Sequence, residues 1–387
     1  FPGVIRAQTG LPGRMTGAFD QKPVSAVVYS GTKAQSEYKG GEIDPIAEYK
    51  GADMFANGIT LKKGQTMVVN MGQNLTAVPN VRFSAPCGTR AVMRFAEMLN
   101  DGSEVGKGAT QADGPKGSIY QKSLRNARSQ ATYVFSGDGT EEYQPGMSFF
   151  GYQYVEFTAS DDMVIYGLAS KGISSVSEQT GQITTNNANV NKFFNNVLFG
   201  QLSNYYTAPT DCNQRDERLS WTGDTQAFAQ TAVYNFDSYA FLQDMQEIFD
   251  ENTKKNGYVG SVADCVDTNE FFGNWAAGWS DVLIIVPWAL YQQTGDVSFL
   301  EDNWQYFDTY MTFLAGKERG ANQSWIPNNA RNYGDWLSFQ GTSIEVMFDY
   351  YYGYMNQLMA QIAQILGDEE KQAAYQAKFD NIKQTFL

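Results

Sequence analysis

The apolar residues of this chain change their spacing once, and that change limits the fold more than any other feature. From Phe1 to about Ser160 they alternate with polar residues, as in Thr66–Asn70, Val81–Ala85, Val92–Glu97, Ala131–Phe135 and Tyr154–Phe157. A period of two places alternate side chains on one face of a strand. After about Asn187 the spacing becomes three and four. Phe241, Leu242, Met245, Ile248 and Phe249 share one helical face, and Leu300, Trp304, Phe307, Met311 and Leu314 repeat the pattern. Leu358, Ile362 and Ile365, then Tyr375, Phe379, Ile382 and Phe386, continue it. A pattern of one period does not bury its apolar face in the other structure. At 387 residues the chain also exceeds the usual reach of a single core. Two units are expected, a β unit over 1–180 that includes a linker and an α unit over 181–387.

The punctuation agrees with this division. Gly64, Gly72, Pro86–Gly88 and Gly137-Asp138-Gly139 supply turns at the close spacing of a β-sandwich. The glycine-rich stretch 101–117 contains Gly106-Lys107-Gly108 but no Lys followed by Ser or Thr, so it reads as a surface loop and not as a phosphate cradle. In the second unit Gly295-Asp296 and Gly367-Asp368 each join a helix-ending Gly to an Asp that can cap the next helix. Consecutive amphipathic hairpins suggest a stacked or circular α/α array. Tyr350, Tyr351, Tyr352 and Tyr354 fall on several faces of one helix and are assigned no site role.

Charge and residue usage exclude several functions. Lys+Arg 28 against Asp+Glu 42 gives a net charge of −14, a field that repels nucleic acid and anionic membranes. The apolar run Val282–Tyr291 is too short for a membrane span, which needs about 20 residues. Phe1 is not followed by a basic segment and apolar core of the signal-peptide type, so the compartment stays open. Cys87, Cys212 and Cys265 are too few and too scattered for a disulfide framework or a zinc knot. The chain has no histidine, which removes the base of Ser-His-Asp and Cys-His catalysis and the commonest zinc ligand. Acid–base chemistry then falls to carboxylates, Tyr or Lys. Asn74-Leu75-Thr76 and Asn322-Gln323-Ser324 fit the glycosylation sequon, a triplet that also arises by chance.

One stretch stands apart. Asp211-Cys212-Asn213-Gln214-Arg215-Asp216-Glu217-Arg218-Leu219-Ser220-Trp221-Thr222-Gly223-Asp224 packs four carboxylates and two guanidiniums into fourteen residues ahead of a helix. A solvated loop whose Asp224 caps a helix beginning near Thr225 accounts for part of it. It does not account for Trp221, or for carboxylates spaced to converge. Convergent carboxylates suit glycosidic hydrolysis, in which one acid protonates the departing oxygen while positive charge grows on the sugar ring. Acidic neighbours are expected to keep that acid protonated, with Arg215 and Arg218 holding the other carboxylates ionised.

The run Asp211–Asp224 resembles the signature of bacterial α-L-rhamnosidases, glycoside hydrolase family 78. Asn213 stands where the family usually has Pro, and Ser220 where it has Gly. Ala277-Gly278-Trp279-Ser280-Asp281, Ile285–Tyr291 and Tyr333-Gly334-Asp335-Trp336-Leu337 extend the resemblance. Upstream, Tyr143-Gln144-Pro145 and Phe149–Glu156 resemble the β-domain motif, with Phe150 where the family often has His. The similarity runs from about Gln65 to the last residue. It implies an N-terminal β-sandwich followed by an incomplete (α/α)6 toroid. It further implies that Glu217 is the general acid and that Asp211, Trp221 and Asp224 contact rhamnose, with Arg215 ordering the acidic loop. Trp279 and Asp281 are expected to line the same pocket or else to pack in the core, and Trp336 and Asp335 follow with a weaker match.

The family's toroid needs six hairpins, and about six or seven helices are expected between Asn187 and Leu387. Its general base sits in a Trp-Glu-Arg-Trp-like segment that this sequence does not contain. The expectation is therefore a partial chain, inactive alone and completed by the remaining half of the toroid, whether in the same polypeptide or as a second one. The chemistry calls for no cofactor and no metal. A toroidal glycosidase of other sugar specificity and a non-catalytic carbohydrate-binding protein are the competing readings.

Overall fold

The computed structural model describes residues 14–31, 41–51, 53–103, 112–176, 178–263, 272–318 and 333–386. Cys265, the triplet Asn322-Gln323-Ser324 and Gly106-Lys107-Gly108 lie outside them. The change of period becomes a change of structure. The last strand of the first unit ends at Ser174 and the first helix of the second begins at Ala188.

Among the described residues ten strands form one continuous antiparallel network: β1 (Arg14–Gln21), β2 (Ser25–Ser30), β3 (Pro45–Lys50), β4 (Ile59–Leu61), β5 (Gln65–Ser84), β6 (Arg90–Ala96), β9 (Gln130–Val134), β10 (Glu141–Tyr143), β11 (Phe150–Ala159) and β12 (Met163–Ser174). β7 (Met98–Leu99) and β8 (Ile119–Tyr120) make a separate pair. The segments Thr66–Asn70 and Val81–Ala85, separate in the sequence pattern, fall almost wholly within the single strand β5. Its pairing with β11 is interrupted by a bulge and then resumes. β5 therefore changes partners along its length: its first part pairs with β2, and its second with β12 and β10. Met67, Val69, Met71, Leu75, Ala77, Val81 and Phe83 share its inward face and one core with Phe95, Tyr152, Phe157 and Ile165. Burying large apolar and aromatic side chains stabilises by about 1.5–3 kcal/mol each, so this stripe fixes the register of β5.

Seven helices follow among the described residues: α1 (Ala188–Asn204), α2 (Thr222–Asn235), α3 (Tyr239–Asn256), α4 (Val282–Thr294), α5 (Ser298–Ala315), α6 (Ile344–Leu366) and α7 (Glu369–Phe386). None is long and apolar enough to cross a membrane. The Gly-Asp joints work as their chemistry demands. Gly295 and Gly367 take left-handed φ of 71° and 76°, which a side chain would resist. Asp296 Oδ1 then accepts from Ser298 N at 3.0 Å, and Asp368 Oδ1 from Lys371 N at 2.9 Å, each opening the next helix. α4 is buried from Val282 to Pro287 and forms the centre of the helical core with α2, α3 and α5.

The two units are tied near the acidic loop. Thr76 Oγ1 on β5 donates to Ser203 O at 2.5 Å, and Asn213 Nδ2 reaches Thr76 Oγ1 at 2.5 Å and Ser203 O at 3.2 Å. Asn213, where the family has Pro, is thus a buried link between strand and helix. A Cβ on Gly151 of β11 would come within 2.6 Å of Asn213 Oδ1, so the strand must offer bare backbone there.

Candidate active site

Residues 211–220 form an irregular loop between α1 and α2. α2 begins at Thr222, three residues earlier than the capping pattern predicts, so Asp224 lies in its first turn instead of capping it. Arg218, at φ 56°, turns its guanidinium away from the carboxylates. Its Nε donates to Asn213 O and its Nη2 to Phe149 O, and the cation sits 4.1 Å from the Phe149 ring centroid. The expectation that Arg218 balances the acidic groups is corrected: it fastens the loop to the β unit.

Arg215 takes the balancing role. Its Nη2 lies 3.3 Å from Asp211 Oδ2 and 2.9 Å from Glu217 Oε2, bridging the two carboxylates. The Cys212 thiol donates to the same Asp211 oxygen at 2.6 Å. Trp221 Nε1 donates to Glu217 Oε1 at 2.7 Å. A third donor was not foreseen. Arg125, from the β unit, places Nη1 3.0 Å from Glu217 Oε2. It follows a single 3-10 turn (Lys122–Leu124) and holds a φ of 58° that is sterically costly for a residue with a side chain. The next backbone amide, Asn126 N, donates to Asp216 Oδ2 at 3.2 Å. Nothing in local sequence marks this pair, because the contact spans about ninety positions and two units.

Glu217 is thus enclosed, with 12% of its side chain accessible, and both carboxylate oxygens receive donors. Asp224 is open to solvent along part of its surface, yet desolvation first, and then the charge of Asp211, push its carboxyl up to about 6.

The aromatic residues expected around the sugar do converge, with Tyr333 at their centre. Trp279 packs on Tyr333 at 4.6 Å between centroids, while Trp221 and Trp336 meet it edge-on at 5.9 and 6.0 Å. Trp279 also lies against Gly223 at the start of α2, where a Cβ would run into its indole. Trp336 remains 66% exposed. Asp335 bends back to accept from Thr342 N and Oγ1 and so closes its own loop.

Asp281 is placed elsewhere. It is 2% exposed, accepts from Gly278 N at 2.6 Å and from Tyr310 OH at 3.0 Å, and belongs to the helical core. The expectation that it lines a pocket with Glu217 is corrected in favour of its core alternative. Burial pushes its carboxyl up to about 6 against those two hydrogen bonds.

The described loop offers a metal three ligand atoms, from Asp211, Cys212 and Glu217, within 4.8 Å of one another. Arg215 and Arg125 already face those carboxylates, and the thiol is pushed up, first by desolvation and then by Asp211. The donor set therefore suits guanidinium binding and not a metal ion.

Comparison with known proteins agrees along both units. The family model described as bacterial alpha-L-rhamnosidase 6 hairpin glycosidase domain matches residues 178–387, and the bacterial alpha-L-rhamnosidase concanavalin-like domain matches 60–176. An α-L-rhamnosidase of Streptomyces avermitilis is 32% identical over 333 residues, covering 86% of this chain and 30% of that protein. One from Formosa agariphila is 30% identical over 336 residues, covering 84% of this chain and 34% of that protein. The crystal structure of the Streptomyces avermitilis enzyme complexed with L-rhamnose superposes with a TM-score of 0.71 at 32% identity, over 83% of this chain and 29% of that one. The α-L-rhamnosidase structure from Dictyoglumus thermophilum gives 0.71 at 28% identity, over 85% and 36%. The chain spans about a third of the length of the curated relatives it matches.

Proposed function

The chain belongs to the bacterial α-L-rhamnosidase family, and from that premise we propose that the whole protein hydrolyses terminal α-L-rhamnosides with inversion, Glu217 acting as general acid. One observation carries this reading. The Glu217 carboxylate is held by Arg125, Arg215 and Trp221 Nε1 beside an aromatic wall of Trp221, Tyr333, Trp279 and Trp336. A carboxyl fixed by three donors has little orientational freedom left to lose, which is what positioning a proton over a glycosidic oxygen requires.

The aromatic wall suits the apolar methyl-bearing side of a 6-deoxy sugar. Asp211 and Asp224 offer acceptors for its hydroxyls. Donation by Glu217 requires that, as the glycosidic oxygen takes the place of a guanidinium, the carboxylate takes up a proton from solvent and passes it to that oxygen while the glycosidic C–O bond breaks. In an inverting hydrolase a second carboxylate about 6.5–9.5 Å away activates the attacking water. No residue in this sequence matches the family's segment for that base, so we assign it to residues outside these 387.

The test is Glu217→Gln in the whole protein. Gln keeps the shape and an acceptor oxygen but carries no transferable proton, so hydrolysis of rhamnosides with poor leaving groups should fall by about a thousandfold. Para-nitrophenyl rhamnoside, which needs less protonation, should suffer less. Equal loss on both substrates would remove Glu217 as the acid.

A further inference from the structure

A cleft of about 600 Å³ runs between the β unit and α1 and ends at the acidic loop. Amide side chains line it from three directions: Gln73 and Gln153 from the strands, Asn195 and Asn196 from α1, and Gln214 from the loop. Its far wall is Asp211, which Arg215 links to Glu217.

α1 breaks its own local rules along this face. Asparagine is a weak helix former, because its short amide competes for backbone hydrogen bonds. Two of the helix's asparagines have local work: Asn191 bonds Thr185, and Asn204 bonds the Gly200 carbonyl. Asn195 and Asn196 do not. Both are exposed in mid-helix, and their side chains form no hydrogen bond with any described residue. One turn on, Gly200 also lines the cleft, and a Cβ there would meet nothing within 4 Å. Packing does not ask for glycine at that position, which opens onto the cleft. Residues that cost helix stability without repaying it in the fold mark a surface shaped for something else.

Neutral amides each donate and accept, which matches the paired hydroxyls of a sugar, and the volume lies in the range of ordinary ligand sites. We propose that this cleft binds the leaving-group side of the substrate, which is then a hydroxyl-rich saccharide tipped with rhamnose and not a flat apolar aglycone. The inference rests on the proposed rhamnosidase activity for its place in catalysis, but not for the binding itself.

The experiment uses the whole protein, a rhamnosyl-glucose disaccharide and longer rhamnose-tipped oligosaccharides, with para-nitrophenyl rhamnoside for reference. Asn195→Leu with Asn196→Leu is the main variant, since leucine favours the helix, and Gly200→Leu, which fills the cleft, is the second. Either should lower kcat/KM on the oligosaccharides, relative to the nitrophenyl substrate, by about tenfold, the worth of one or two lost hydrogen bonds. An unchanged ratio in both variants would overturn the proposal. Microcalorimetry of the same oligosaccharides separates this from the activity. If the wild type cleaves no rhamnoside yet binds the oligosaccharides, and the double variant binds them about tenfold more weakly, the proposed function fails and the cleft stands. Equal binding by both proteins, or none by the wild type, sinks the cleft.

Discussion

Two segments precede helices in the α unit, and both hold tryptophans and carboxylates, yet they use them differently. In the loop 211–221 the carboxylates are partly accessible and face cations, Arg215 from the loop itself and Arg125 from the other unit. In the turn 276–281 the single carboxylate is sealed and faces neutral donors, the Gly278 amide and the Tyr310 hydroxyl, which itself receives Trp275 Nε1 at 3.0 Å. A cation-bound, partly wet carboxylate can exchange its partners for a substrate. A sealed one cannot without opening the core. Partner and burial, more than residue type, separate chemistry from architecture here.

The most severe way to break this contrast is Asp281→Ala. It strands a buried N–H and a buried O–H, which should cost the α unit about 2–5 kcal/mol. Denaturant midpoints followed by helical circular dichroism would check it, and a surface-like cost under about 0.5 kcal/mol would place Asp281 with the loop after all. The pH dependence has a definite sign. The native carboxyl titrates at about 6 and the unfolded one near about 3.9, so the native state binds more protons between those values. That contribution is present at low pH and is lost as pH rises through about 6. Asp250, pushed up by burial to about 7, acts in the same direction. Asp281→Asn should therefore flatten the decline without abolishing it.

Two smaller effects sharpen the contrast by testing what joins the two segments. In Gly223→Ala the new methyl meets the Trp279 indole, which must tilt away from Tyr333. Affinity of the whole protein for L-rhamnose, measured by calorimetry, should fall about tenfold, with overpacking costing about 1–3 kcal/mol of stability. An unchanged affinity would take Trp279 out of the sugar wall and return it to packing. Arg125→Gln leaves Arg215 and Trp221 on Glu217 but frees one side of the carboxylate. We expect kcat on rhamnosides with poor leaving groups to drop about threefold to tenfold, with KM changing less. A change in KM alone would show that Arg125 serves substrate binding and not the acid.

How much of this was legible in the sequence follows from the range of each interaction. The change of period located both units, because the spacing of apolar residues is set by burial a few positions away. The joints at Gly295 and Gly367 were readable for the same reason. The acidic string pointed to convergent carboxylates, and the family resemblance singled out Glu217, Asp211, Trp221, Trp279 and Trp336; the three tryptophans meet around Tyr333. Arg125 was not legible, since its partner lies about ninety residues away and its own neighbourhood is an ordinary turn. The opposite use of Arg215 and Arg218 was hidden as well: their spacing is equally good for pairing, and only the left-handed backbone at Arg218 turns it toward Phe149. Asp281 misled because its motif records that the residue matters without recording whether water reaches it.

The finest test concerns Asp224, which stands between the two kinds of carboxylate, partly open yet pushed up to about 6 by desolvation and by Asp211. Below that pH Asp224 holds a proton beside Asp211; above it, Asp224 is ionised and seeks a donor. A sugar hydroxyl is such a donor, so binding of L-rhamnose should favour the ionised form of Asp224. Affinity is then expected to rise by about threefold as pH climbs through about 6, with protons released on binding below that point. Asp224→Asn cannot ionise, and its titration curve should be flat across the same range. Calorimetry in buffers of different ionisation heat would count the released protons directly. A wild-type affinity that falls as pH rises would mean that Asp224 meets the sugar as a protonated donor, reversing its proposed part in recognition while leaving its place beside Asp211 intact.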